Sequence, residues 1–357
     1  MKTGTAHLPL HSGNAPVWLF QRMKRLAREM VLVIVDEFGT GELLQRLSDP
    51  FWFQAFGCVL GFDWHSSGLT TTVCGAIKEG VKGIEHETGF FAAGGKGRVS
   101  RKTPDEILCA GSLIDTDPER LVYASRMSAK VDSAAVQDGY QLYHHAFFFN
   151  REGQWAVVQQ GMNPQNSFAR RYHWLGRDGL DFVCEPHEAV CCDSRGGVLN
   201  LVAAEGEGNR KASAAMAAEE PGRVLREAAS ISSLDLPSRH WVISRDINPD
   251  YLARILLKTY EARPAGFEAL LGIRGVGAKA LRALSLMAEI IYGASASFRD
   301  PARFSYAHGG KDGTPYPVDR PLYDGSIHFL RETLNSSKIE NSEKIKAFKR
   351  LDAFTGG

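Results

Sequence analysis

Residues 270–281 read Leu270-Leu271-Gly272-Ile273-Arg274-Gly275-Val276-Gly277-Ala278-Lys279-Ala280-Leu281, and they decide the fold of the C-terminal part of the chain. Two glycines flank one apolar residue, and the apolar spacing on both sides is typical of helices. Gly275, Val276 and Gly277 therefore predict a tight turn that exposes backbone N–H groups where the second helix begins. Those groups and the helix dipole favour an anion. A phosphate backbone is the obvious anion, and such a contact positions nucleic acid without reading its sequence.

This stretch resembles a helix-hairpin-helix motif. A Val318-Asp319 pair follows it and precedes another predicted helix. Together the two features are similar to the helix-hairpin-helix DNA glycosylase superfamily, over roughly residues 245–335. The resemblance implies that Lys279 is the nucleophile of a bifunctional enzyme and that Asp319 is its carboxylate. Lys279 and Asp319 are 40 residues apart, more than is usual in that superfamily, because a polar, glycine-rich insert lies between them.

Each of these residues also has a simpler interpretation. Hairpins of this type occur in proteins that bind DNA without chemistry, and Lys279 could pair with a phosphate alone. Asp319 could be only the N-cap of the helix that starts at Arg320.

The composition of the chain limits the class of protein. A chain of 357 residues, 44% hydrophobic and 23% charged, is long enough for two globular domains. Its net charge of +1 means that a nucleic-acid binder must concentrate its basic residues locally. No apolar run is long enough to span a membrane, and the first residues do not form a signal peptide. We therefore expect a cytoplasmic protein.

The six cysteines do not predict a metal site. None forms a CxxC pair, and no histidine pair has zinc-finger spacing. Cys184, Cys191 and Cys192 lie near His187, but their segment alternates like a strand. Some glycosylases carry an iron–sulfur cluster after the catalytic aspartate, and no cysteine follows Asp319 here. We therefore expect no metal and no cofactor.

Three further segments carry candidate contacts with nucleic acid. Trp64 and His65 lie among hydroxyl-bearing residues before a predicted helix, which suits a base pocket or a structural loop. Lys96 and Arg98 lie in a glycine-rich basic loop that could follow a phosphate backbone. The run Arg170-Arg171-Tyr172 predicts a phosphate clamp with a stacking ring, which makes Tyr172 a third base-pocket candidate; the alternative is a plain surface strand.

The predicted fold class is α+β. Residues 15–47 predict two helices, and residues 141–149 and 154–161 predict a β-hairpin joined by an Asn150–Gly153 turn. We expect a mixed α/β domain with an antiparallel sheet at 1–202, a linker at 203–235, and an all-helical helix-hairpin-helix domain at 236–357. Within the linker, the Ala-, Glu- and Gly-rich stretch 203–223 predicts an exposed linker or an irregular helix. Beyond the hairpin, residues 3–11, 49–70, 137–145 and 316–324 resemble a prokaryotic family catalogued as a domain of unknown function, number 763. That resemblance implies no activity.

These patterns favour a DNA glycosylase, with or without abasic-site lyase activity. Its expected substrate is double-stranded DNA with a flipped base that is damaged or carries a bulky modification, in repair or in defence against invading DNA. The alternative is a nuclease or a non-enzymatic DNA-structure-binding protein that uses the hairpin for docking. Asp132 and Asp138 flank the predicted β-hairpin and keep metal-dependent nuclease chemistry open.

Overall fold

A computed structural model describes residues 15–62, 67–165, 168–192, 196–232, 249–302 and 320–355. Within these ranges the protein is α+β, as predicted, and no helix is both long and apolar enough to cross a membrane. The helices are α1 (Val17–Ser48), α2 (Pro50–Leu60), α3 (Gly68–Val81), α4 (Glu85–Thr88), α5 (Thr103–Cys109), α6 (Pro118–Lys130), α7 (Glu207–Ala217), α8 (Pro221–Ser232), α9 (Pro249–Ala262), α10 (Phe267–Gly272), α11 (Ala278–Tyr292), α12 (Arg320–Ser336) and α13 (Asn341–Thr355). The strands are β1 (Phe90–Lys96), β2 (Val136–Gln137), β3 (Gln141–Asn150), β4 (Trp155–Asn163), β5 (Phe168–Leu175), β6 (Ala189–Cys191) and β7 (Leu199–Asn200).

A five-stranded antiparallel sheet lies at the centre, in the order β1-β3-β4-β5-β6, and β2 pairs with β7 in a second, two-stranded sheet. The predicted β-hairpin is present as β3 and β4. Its turn is held by Asn150, whose Oδ1 accepts the Gln154 N–H at 2.8 Å, and by Gly153, whose φ is +85°. Local turn chemistry therefore fixes the register of the central strands.

Successive residues of a strand point to opposite faces of a sheet, and each face here covers a separate core. On the first face, Phe147, Val157 and Trp174 belong to a core in which α6 contacts the sheet, and the helices of the 270–281 hairpin pack behind α6. On the second face, Phe148 and Val158 pack with α1, α2 and α3. Because both faces are covered, the central strands are buried on both sides rather than alternating between core and solvent.

The two cores divide the helices that the sequence assigns to one domain at 236–357. Val276 and Leu281 of the hairpin belong to the first core, whereas Leu330 of α12 and Leu351 of α13 pack with Trp52 in the second. The described part of this segment therefore contributes to both cores. The arrangement differs from the predicted single helical domain, because apolar spacing identifies a buried helix face but not the core that it enters.

The predicted linker at 203–235 contains two helices, α7 and α8, in its described part. Asn209 of α7 is buried and donates hydrogen bonds to the carbonyls of Ser285 and Ala294, at 2.9 and 2.8 Å. Arg210 is also buried and donates to the carbonyls of Leu201 and Ala203. The alanine-rich composition that suggested a linker instead lets α7 pack closely against α11.

Near the N-terminus, the predicted pair of helices is one long element with a kink. Helix α1 runs from Val17 to Ser48, and Gly39 breaks its helical geometry with φ +84°. Asp49 is the N-cap of α2, and its side chain accepts hydrogen bonds from the N–H groups of Phe51 and Trp52.

Candidate nucleic-acid interface

Residues 267–292 form the helix-hairpin-helix that the sequence predicts. Helix α10 ends at Gly272, and α11 begins at Ala278. Gly275 adopts φ +101°, a conformation that glycine tolerates and that lets the chain reverse within the turn. Gly277 is extended at the N-cap of α11 and offers no side-chain cap, so among the described residues no side chain caps the first N–H groups of that helix. The start of α11 is thus a candidate anion site.

Exposed cations surround this turn. Arg274 and Lys279 are exposed on the hairpin itself. Lys258 of α9 is exposed too, and its Nζ lies 3.6 Å from the position that a Cβ would take on Gly275. A Cβ added to Gly277 would meet no atom within 4 Å. The surface therefore combines free backbone donors, positive charge and room for close approach, which is the chemistry that phosphate binding requires.

A lysine of the preceding region holds the turn in shape. Lys130, the last residue of α6, donates to the carbonyls of Leu271, Ile273 and Val276, at 2.5, 2.8 and 3.1 Å. Burial lowers the pKa of Lys130. Three carbonyl oxygens that point into the turn thus meet one ammonium group, which has three donors to give.

A second support acts at the start of α11. Gln137 donates from Nε2 to the Ala278 carbonyl at 2.9 Å, and its Oε1 accepts from Arg282 at 2.7 Å. No sequence pattern assigned Lys130 or Gln137 a role in supporting the turn. No local pattern could have identified them, because their partners lie more than 140 residues further along the chain.

Comparison with known proteins identifies the family of this chain. A family model described as "Protein of unknown function (DUF763)" matches residues 4–318. The chain belongs to the DUF763 family. No curated protein and no solved structure matches it. Since the family match includes the sheet and the helices α1–α11, the hairpin is an integral part of the DUF763 domain.

Of the two residues predicted to carry chemistry in this DUF763 protein, Lys279 lies within the described residues and Asp319 does not. Lys279 lies in the first turn of α11, is exposed, and makes no salt bridge with any described residue. Asp319 lies outside the described residues, as do Trp64 and His65 of the predicted base pocket. Helix α12, which follows Asp319 directly, packs in the second core, whereas Lys279 begins a helix of the first.

The predicted phosphate clamp at Arg170 and Arg171 requires correction. Both side chains are only 1% exposed. Arg170 pairs with Asp138 at 3.0 Å and Asp300 at 2.8 Å, while Arg171 donates to Gln54 at 3.0 Å on the opposite face of the sheet. Buried and paired in this way, neither guanidinium is available to a DNA backbone. The alternative of a surface strand is also wrong, because β5 is a central strand covered on both faces.

Tyr172 is likewise not a base-pocket residue. Its ring is completely buried in the first core, and its hydroxyl donates to Asp138 Oδ2 at 2.6 Å. The aromatic and cationic pattern around it reflects a buried ion-pair network rather than a stacking platform. In contrast, Lys96 and Arg98 are exposed, as a surface contact requires. They lie at the end of β1 and in a 3₁₀ turn at Gly97–Lys102.

Lys96 also lines a cavity of about 880 Å³ between α1, α3 and β1. Ser67 and Gly68, at the start of α3, line the same cavity, together with Tyr143. Ser67 and Gly68 directly follow the segment that contains Trp64 and His65. The cavity has the mixed apolar and hydroxyl lining that small-molecule pockets share.

The two carboxylates that kept nuclease chemistry open are engaged in the interior. Asp138 binds Arg170 and Tyr172, and Asp132 binds His187 at 2.5 Å. Burial raises the pKa of each carboxyl, and the partners oppose that shift. In the part of the chain that the structure describes, no group of three or more His, Cys, Asp or Glu residues could hold a metal ion.

Proposed function

We propose that this protein binds double-stranded DNA through the 267–292 hairpin and excises a base from it. The observation that carries the proposal is the uncapped start of α11 beside exposed Lys258, Arg274 and Lys279. Backbone contacts of this kind bind any sequence, which suits an enzyme that must search DNA for a rare base.

The proposed chemistry is cleavage of an N-glycosidic bond. The target base leaves the stack, and positive charge builds on the sugar as the bond breaks. The Asp319 carboxylate would stabilise that charge. A neutral Lys279 amine would attack C1′ as the bond to the base breaks, and the departing base would take one amine proton. The C1′–O4′ bond of the sugar would then open with the second amine proton passing to O4′, which gives a Schiff base that permits β-elimination. Without that attack, water would complete the reaction and leave an intact abasic site. The substrate would be a damaged or bulky modified base, in repair or in defence.

One rival has specific support. The exposure of Lys279 and the packing of α12 in the other core both suit a protein that only docks on DNA through the hairpin. In that case Lys279 pairs with a phosphate and needs no carboxylate nearby. Of the two rivals considered from the sequence, the non-enzymatic DNA-structure binder is thus better supported than the nuclease.

The test measures bases released from a panel of duplexes that carry damaged or bulky modified bases, by mass spectrometry and in the presence of a chelator. A glycosylase stays active without metal ions, whereas a two-metal nuclease stops. Borohydride is added to parallel samples to trap a Schiff base. Lys279→Gln should abolish trapping and strand cleavage, and Asp319→Asn should slow base release by orders of magnitude while DNA binding survives.

Lys258→Gln is the matched control, since it removes a neighbouring exposed cation and should weaken binding without changing the chemistry. If Lys279→Gln still releases base and Asp319→Asn does not, water is the nucleophile and the enzyme is monofunctional. If the wild-type protein binds DNA tightly and releases no base from any duplex, the glycosylase proposal fails and docking alone remains.

A further inference from the structure

A chain of buried polar groups crosses the first face of the sheet, and the proposed function does not use it. Ser125 Oγ of α6 lies 2.9 Å from His145 Nε2 of β3. On the other side of that ring, His145 Nδ1 lies 2.9 Å from Gln159 Oε1 of β4. Gln159 Nε2 in turn donates to Asp132 Oδ2 at 2.6 Å. A hydroxyl, an imidazole and an orienting group therefore stand in sequence within hydrogen-bond reach, as in nucleophile–base pairs of hydrolases.

The hydrogen bonds of Asp132 determine where the protons lie on Gln159 and His145. Asp132 Oδ2 also accepts from Trp174 Nε1 at 3.0 Å, and an indole N–H can only donate. Because this carboxyl oxygen acts as an acceptor, the Gln159 amide turns its NH₂ towards Asp132 and its oxygen towards His145. His145 Nδ1 must then carry the proton, which leaves a lone pair on Nε2 for the Ser125 hydroxyl.

His145 is uncharged at neutral pH, as a base must be. Burial lowers its pKa to about 4, and the bond to Gln159 opposes the shift only in part. The imidazole is therefore free to accept a proton from Ser125 rather than already carrying two. The Ser125–His145 pair thus has the donor and acceptor arrangement that proton transfer from oxygen to nitrogen requires.

The pair opens on a cleft of about 410 Å³ between α6, β3 and the residues after β1. Arg101 and Arg126 line this cleft with exposed side chains, and the described residues of its lining include no Asp or Glu. His144 lines it as well; it is 1% exposed, and neither ring nitrogen has a hydrogen-bond partner in the described structure. The two exposed guanidinium groups, with no carboxylate among the described lining residues, indicate an anionic ligand.

We propose that Ser125 and His145 form a second active centre, which hydrolyses a phosphate ester. Ser125 Oγ attacks phosphorus while its proton moves to His145 Nε2. The bond from phosphorus to the leaving oxygen breaks, and the leaving alcohol takes that proton from His145. Water, deprotonated by the same nitrogen, then displaces Ser125 Oγ from phosphorus, and the serine recovers its proton. Arg101 and Arg126 hold the phosphate oxygens, and Gln159 is a positioning residue that keeps the tautomer of His145.

The first experiment treats the intact protein with a fluorophosphonate probe and maps the adduct by peptide mass spectrometry. We expect stoichiometric labelling of Ser125 and none in Ser125→Ala. The labelling rate should fall by about 10²-fold or more in His145→Gln, because the general base is lost. Ser128→Ala is the matched control: Ser128 is a buried serine one turn further along α6 that does not line the cleft, and its loss should leave the rate unchanged.

The second experiment compares hydrolysis of bis(4-nitrophenyl) phosphate with that of the uncharged ester 4-nitrophenyl acetate. We expect wild-type turnover of the phosphate ester, and a higher KM with little change in kcat for Arg101→Gln combined with Arg126→Gln. Wild-type protein that is folded and is not labelled at Ser125 overturns the proposal. Labelling with turnover of the acetate alone overturns the phosphate-ester assignment. Neither result depends on the hairpin or on DNA.

Discussion

At the scale of single residues, the two glycines of the hairpin have different roles. Gly275 needs its positive φ, so a Cβ there strains the turn itself. Gly277 is extended and has open space around its Cβ position, so the fold accepts a side chain there. A change at Gly277 therefore tests docking separately from stability.

We predict that Gly277→Ala leaves the free energy of unfolding nearly unchanged and weakens DNA binding by about 1–3 kcal/mol, because the methyl group keeps phosphate from the N–H groups of α11. Gly275→Ala should lower both stability and binding. Fluorescence anisotropy with duplexes of several sequences and urea titration measure the two effects. Full affinity in a folded Gly277→Ala protein would contradict docking at this turn.

Because Arg170 is buried, we expect its replacement to lower the stability of the protein. We predict that Arg170→Met lowers the free energy of unfolding by about 3–5 kcal/mol, since it leaves Asp138 and Asp300 buried without their cation. Arg177→Met is the comparison, because Arg177 forms an exposed pair with Glu188 whose loss should cost about 1 kcal/mol at most. Chemical denaturation of both variants measures the difference. Equal losses would contradict the buried network.

At the scale of secondary-structure elements, the hairpin depends on α6. Its turn carbonyls would be poorly solvated next to the first core without the ammonium of Lys130. The hairpin is therefore a motif completed by a residue from another element, rather than a unit held only by its own sequence.

We predict that Lys130→Met lowers the free energy of unfolding by about 1–3 kcal/mol, because three hydrogen bonds to carbonyls are lost together, and that it weakens DNA binding as the turn loosens. Arg120→Met is the control, as an exposed cation of the same helix without an ion pair in the described structure. Hydrogen exchange at residues 271–279 reports on the turn directly. Unchanged protection of these amides in Lys130→Met would refute the role of Lys130 in holding the turn.

At the scale of the whole molecule, buried histidines couple stability to pH. Burial lowers the pKa of His144 to about 3, and neighbouring His145 and Lys96 add to the shift. The unfolded chain takes up a proton near pH 6.5 and the folded one does not, so stability contributed by neutral His144 is lost as pH falls. Buried Asp132 and Asp138, whose pKa values are raised, act in the opposite direction.

We therefore predict how the pH dependence of the unfolding free energy differs between wild type and a His144 variant, rather than the pH dependence of either protein alone. Between pH 6 and pH 4, the unfolding free energy of wild type should fall more steeply than that of His144→Phe, by up to about 1.4 kcal/mol per pH unit for the one proton involved. Urea titrations at several pH values give both curves. Parallel curves would mean that His144 titrates normally in the folded protein.

By itself, the sequence determined the features that rest on short-range chemistry. The Gly275–Gly277 turn, the β3–β4 hairpin and the α+β class follow from turn residues and apolar spacing within windows of a few residues, and the structure contains all three. These features hold because backbone conformation and amphipathic faces are set locally.

Only the tertiary structure decided which partners those elements meet. It buries Arg170 with Asp300, 130 residues away, and places Lys130 under a turn 141 residues away. It also places α11 and α12 in different cores and aligns Ser125 with His145 and Gln159. Charge and aromatic content are the same in a phosphate clamp and in a buried ion pair, and only burial separates the two, because burial is a property of the packed chain rather than of any segment.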